Sequence, residues 1–169
     1  MPLFGIAATT AHDRITVRGG NLTSGDVWEQ LIQMVNGKMR FMDLDRIIPV
    51  TSGEIRNGSK FEDYNAGGPR RRVTVTTWDP SNKILSFKVQ VPESTRGKHK
   101  NNSWEYEFKI IDADSSGTVI VDVRCRIEYN PRAGMGRDAV KWFNMEIENI
   151  CDSVIKGNCE HEGARAGWM

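Results

Sequence analysis

The stretch "PRRRVTVTTW", residues 69–78, sets three arginines directly before a run that alternates apolar and polar side chains. Clustered guanidinium groups suit phosphate, so one chemistry open to Arg70, Arg71 and Arg72 is contact with nucleic acid. The other is a single anion contact where a strand leads into a pocket. Whole-chain charge argues against the first. Lys plus Arg number 23 against 22 Asp plus Glu, a net +1, without the basic excess of a dedicated nucleic-acid binder. Two-residue alternation also splits the arginines: Arg71 shares a face with Val73, Val75 and Thr77, and Arg72 shares the other with Thr74, Thr76 and Trp78. The valine face is expected to point inward. Arg71 thereby becomes a candidate anion contact at a cavity rim.

A carboxylate precedes it. In "SKFEDY", residues 59–64, Asp63 shares a face with Phe61, and an inward Asp63 would be desolvated and shifted toward acid–base work. The opposite register places Lys60, Glu62 and Tyr64 inside, and the pattern leaves both open. "GMGRDA", Gly134 to Ala139, has the spacing of a phosphate-cradling glycine loop. No strand follows its helix, so the βαβ unit of a dinucleotide site is missing and a hinge is the simpler reading. "CEHE", residues 159–162, carries metal-competent groups, but adjacent residues cannot close a tetrahedron, and no metal is expected. His12, His99 and His161 stand apart in sequence, and no catalytic triad can be defended from their spacing. Cys125 and Cys151 fall on apolar faces and read as small buried hydrophobes.

These groups need elements to position them, and 169 residues suffice for one domain with a full core. The chain opens without a basic segment leading into a long apolar run, and no 18-residue apolar stretch suggests a membrane span. Three cysteines without framework spacing suit a reducing compartment, so a cytoplasmic protein is expected, with the three Asn-x-Ser/Thr matches read as polar loops. One or two short strands are expected in 3–18. A helix follows, with Thr23 as cap, Asp26 three residues on, and Val27, Trp28, Leu31, Met34 and Val35 at helical spacing. "MRFMDLD" suggests a second short helical piece.

From 46 to 129 the period is two, with strands expected at 46–54, 59–64, 71–78, 84–91, 103–111 and 118–129. Short turns between them favour antiparallel pairing. The expected inner faces carry Leu85, Phe87 and Val89, then Trp104, Tyr106, Phe108 and Ile110, then Val119 to Tyr129 by alternation. Val140, Phe143, Ile147, Ile150 and Val154 then mark one long amphipathic helix. Residues 158–169 read as a flexible tail behind a domain spanning 1–157. The order predicts an α+β architecture: a curved antiparallel sheet of six to seven strands wrapped on one long C-terminal helix, with two short helices after the first strand.

That order, with "GDVWEQL" at Gly25–Leu31, "RVTVTTWDPSNKILSFKV" at Arg72–Val89 and "GTVIVDV" before the last helix, resembles the SRPBCC superfamily. This is the helix-grip fold of START domains, birch-pollen-type allergens and aromatic polyketide cyclases. The resemblance covers roughly residues 4–157, and within it the chain looks most like a fungal subfamily found among secondary-metabolism proteins. It implies an internal cavity for a hydrophobic, polyketide-like or aromatic small molecule, with no cofactor and no nucleic acid, in a monomer or homodimer. Phe87, Trp104, Phe108, Tyr129 and Phe143 would shape the pocket. Asp63, Arg71 and Tyr106 would serve a cyclisation, isomerisation or dehydration by moving a proton or polarising a carbonyl. A non-catalytic carrier or sensor would use the same pocket without turnover, and a partner-binding module would not use it at all.

Overall fold

In the computed structural model the described residues are 6–35, 46–49, 54–64, 71–90, 102–113, 117–131, 138–153, 155 and 157–167. A strand, β1 (Ala7–Arg18), is followed by helix α1 (Ser24–Val35). The strands β2 (Arg46–Pro49), β3 (Lys60–Tyr64), β4 (Arg71–Asp79), β5 (Ile84–Gln90), β6 (Ser103–Ala113) and β7 (Thr118–Tyr129) come next. Helix α2 (Ala139–Ser153) and two short strands, β8 (Asn158–His161) and β9 (Arg165–Ala166), complete the order. All pairings are antiparallel, in the order β2-β3-β4-β5-β6-β7-β1-β8, with β9 also on β1. The meander matches the strands expected from period two. No helix among the described residues is long and apolar enough to cross a membrane.

Helix α1 starts where the capping pattern places it. Thr23 N–H donates to Asp26 Oδ2 at 2.9 Å, and Asp26 N–H donates to Thr23 Oγ1 at 3.2 Å. The two free donors are satisfied reciprocally, and the bonds from the Thr23 backbone and then its side chain hold the Asp26 carboxyl below its ordinary range. Val27, Trp28, Leu31 and Met34 are buried together with the inner face of the sheet, and Phe143, Ile147 and Ile150 of α2 complete that core. The second helical piece, "MRFMDLD", lies outside the described residues, as does the glycine run 134–137.

Two expectations change and one is narrowed. Of the one or two N-terminal strands expected, the structure has one, β1, because Ala11, Asp13, Ile15 and Val17 keep one unbroken inward alternation against β7. The β4 register shifts between Val75 and Thr77, a bulge at Thr76 that reverses the faces beyond it. Thr77 therefore pairs with Ser86, and Trp78, expected outside, pairs with Leu85 and meets Trp28 of α1 at 5.2 Å between ring centroids. Finally, residues read as a tail carry β8 and β9, which lengthen the sheet beyond β1.

One glycine is required by the geometry. Gly117, before β7, has φ +75°, and a Cβ there would lie 2.7 Å from the Gly19 carbonyl oxygen. Close approach lets Gly19 N–H donate to Gly117 O at 3.2 Å, closing that end of the sheet.

Candidate functional site

On the inner face the strand registers align in rows. Val75, Phe87, Tyr106, Cys125 and Ala11 form one row across β4, β5, β6, β7 and β1. Above it runs Val73, Val89, Trp104, Ile127 and Thr9. Asp63 and Arg71 are opposite each other across β3 and β4, one inward position further out, at the level of Tyr129. Period two assigns both positions to the face of Phe61 and Val73, but their side chains lie outside the described residues.

The rings expected to shape a pocket come together. Phe87 lies 5.4 Å from Tyr106 and 5.8 Å from Phe108, and Tyr106 lies 6.3 Å from Phe143 across the space between sheet and helix. These four are at most 1% exposed and pack as one cluster of tilted and stacked rings. Trp104 and Tyr129, nearer the sheet end, are only half-buried. The Tyr129 hydroxyl meets Thr9 Oγ1 at 3.4 Å. The inner face is thus closed at the Tyr106 row and more open toward Trp104 and Tyr129.

The three residues expected to do chemistry do not all lie in one row of the sheet backbone. Arg71 and Val75 are four residues apart on β4, so the Asp63–Arg71 row stands about 13 Å from the Tyr106 row at the usual strand rise. Tyr106 instead hydrogen-bonds the Glu146 carboxylate of α2. Glu146 sits three residues after Phe143 and four before Ile150, on the flank of the stripe that faces the sheet. Cys125, paired with Tyr106 in the ladder, is fully buried. Desolvation first, and then the nearby Glu146 charge, pushes its thiol well above the ordinary range, so it stays protonated.

Sequence reasoning missed Glu146 because it weighted α2 by its apolar residues alone. The helical spacing of Glu146 from Phe143 and Ile150 was the available signal. It also missed Asp13, whose position between Ala11 and Ile15 places a carboxylate on the inner face of β1. The Asp13 side chain is fully buried, with Oδ2 2.8 Å from His161 Nδ1 and Oδ1 accepting from Arg14 N–H at 2.7 Å and Gly163 N–H at 3.1 Å. His161, read as isolated, is held between Asp13 and Glu148, the latter 3.8 Å from Nε2. His12 Nδ1 lies 2.7 Å from the Gly167 carbonyl, and His99 is outside the described residues. Within "CEHE", Cys159 faces Cys151 while His161 faces Asp13, so the run does not converge on one point.

The outer face behaves as a solvated surface. A cleft there is lined by Ser86, Glu105, Tyr106, Glu107, Arg124 and Arg126, and its two glutamates and two arginines stand opposite one another in register, so their charges balance.

Solved structures share this fold. Norcoclaurine synthase from Thalictrum flavum, a point mutant in complex with a transition-state analogue, aligns with a TM-score of 0.53 at 8% identity, over 76% of this chain and 80% of that one. Ara h 8.0201 aligns with a TM-score of 0.57 at 10% identity, over 83% and 91%. The likeness shows the fold, a helix-grip arrangement of one antiparallel sheet and a long C-terminal helix. No protein-family model matches the sequence, and no curated protein matches it closely enough to count as a relative. At these identities the likeness carries the fold alone.

Proposed function

We propose that the protein binds an apolar, aromatic or polyketide-like small molecule between α2 and the inner face of the sheet and rearranges it by proton transfer. The observation that carries this reading is the Tyr106–Glu146 hydrogen bond in a setting of Phe87, Phe108 and Phe143. A carboxylate at an apolar wall is a competent general base, and the bonded phenol fixes its orientation. Glu146 takes a proton from carbon beside a ligand carbonyl and returns it at another atom, which is an isomerisation; the same pair serves cyclisation or dehydration. Trp104 and Tyr129 line the entry, with the Asp63 and Arg71 positions at the same end for a polar group of the ligand. The reaction is assigned to cytoplasmic natural-product biosynthesis and is cofactor-independent.

The test begins with native mass spectrometry of molecules that copurify with the protein. With an accepted ligand, Glu146→Gln is expected to cut turnover by about 100-fold or more while binding changes little. Asp63→Asn and Arg71→Ala are expected to weaken binding instead. Undiminished product formation by Glu146→Gln removes the mechanism. Retained ligand with no product from the wild-type protein makes it a carrier.

A further inference from the structure

Cys151 lies in the last turn of α2, and Cys159 lies in β8, opposite Val17 of β1. Their sulfur atoms are 2.7 Å apart, so closing to a bond of about 2.05 Å needs a movement of well under 1 Å. The surrounding contacts bring the two elements together independently of the sulfurs. Asn144 Oδ1 accepts from Ala164 N–H at 2.9 Å, and Glu148 faces His161, so Asn144, Glu148 and Cys151 form one flank of α2 turned toward the C-terminal strands. Gly157, with φ +140°, turns the chain between helix and strand. Both cysteines are half-buried rather than sealed in the core as Cys125 is, which suits access by a small oxidant.

We propose that Cys151 and Cys159 are a redox pair that closes to an intramolecular disulfide, fastening β8 to α2. The oxidant is a hydroperoxide. The Cys159 thiolate attacks one peroxide oxygen, the O–O bond breaks, and Cys159 becomes a sulfenic acid. The Cys151 sulfur then attacks the Cys159 sulfur, the S–O bond breaks, and the departing hydroxide takes the Cys151 proton as water. With hydrogen peroxide, two thiols and one peroxide give one disulfide and two waters. Cys159 attacks first in keeping with the direction of the two shifts: its thiol lies below the usual range through its bond with Cys151, whereas Cys151 is pushed up, first by that bond and then by burial.

The test treats the reduced, full-length protein with hydrogen peroxide and maps its peptides without reductant. The expected product is a Cys151–Cys159 crosslink lacking two hydrogens, with alkylatable thiols under denaturing conditions falling from three to one and dithiothreitol restoring all three. Cys125, fully buried, is the remaining thiol. In Cys151→Ser, Cys159 is expected to stop at a dimedone-reactive sulfenic acid, with no crosslink formed. Overturning results are a crosslink through Cys125, disulfides formed only between two chains, or wild-type Cys151 and Cys159 that both still alkylate after peroxide. The wild-type mapping decides the matter even where a variant folds poorly.

Discussion

Replacing Tyr106 with Phe removes one oxygen from the centre of the aromatic cluster and leaves its shape unchanged. The ring contacts to Phe87, Phe108 and Phe143 are retained, so no cavity opens. The loss is the bond to Glu146, a hydrogen bond to a charged acceptor worth about 1.5–3 kcal/mol. Glu146 is only half-buried, so water repays part of this when the hydroxyl is gone, and the net cost is expected at about 1–2 kcal/mol. Tyr106→Ala, by contrast, loses the whole ring from a site 1% exposed and is expected to cost about 3–5 kcal/mol. Urea unfolding of wild type, Tyr106→Phe, Glu146→Ala and the double variant isolates the pair. A coupling energy of about 1 kcal/mol or more, at unchanged dependence on denaturant, is the expected result. Additivity within about 0.5 kcal/mol would refute the bond and, with it, the orientation of Glu146 on which the proposed chemistry depends.

Asp13→Ala strips the acceptor from His161, Arg14 N–H and Gly163 N–H together and is expected to cost about 2–4 kcal/mol by urea unfolding. Asp13→Asn retains an acceptor and should cost less. Gly117→Ala places a methyl 2.7 Å from the Gly19 carbonyl at φ +75°, so a loss of about 2 kcal/mol or more is expected, read as a lower melting temperature. The α1 cap gives a pH signature. Because the folded Asp26 carboxyl lies below its ordinary value of 3.8, its contribution is complete above that pH and lost as pH falls through the lowered folded value. Stability of Asp26→Asn, followed by thermal melts between pH 7 and pH 2, should therefore decline less steeply in acid than that of the wild type.

The parts of the fold that followed from sequence are those governed by one strong local period. Alternation across β5, β6 and β7 placed Leu85, Phe87, Tyr106, Phe108, Val121 and Val123 inside without any tertiary information. Thr23 and Asp26 marked the start of α1 through a bond pattern complete within four residues. Failures occurred where a distant partner decides. A bulge adds one residue whose presence only the β5 register reveals, so Trp78 could not be moved inside by counting along β4. The C-terminal strands are short and polar, and β8 exists because β1 offers a free edge after a chain reversal. Glu146 and Asp13 were hidden for a common reason: a charged residue within an apolar pattern reads as an interruption unless its partner across the fold, Tyr106 or His161, is already known.

Those partners give α2 a different role from that of a helix resting on a sheet. Phe143, Ile147 and Ile150 face the core, Glu146 reaches to one side toward Tyr106, and Asn144, Glu148 and Cys151 reach to the other toward Ala164, His161 and Cys159. The apolar stripe alone would tolerate small rotations of the helix, since dispersion contacts are non-directional. Hydrogen bonds on two opposite flanks restrict that freedom, because a turn that shortens one set lengthens the other. The β8 segment therefore bears on the position of Glu146 although it lies on the far side of the helix. Removing residues 158–167 should then disturb the Tyr106–Glu146 pair, and a smaller coupling energy in the same double-variant cycle, measured in the truncated chain, is its expected signature. An undiminished coupling would confine the C-terminal strands to covering the edge of β1.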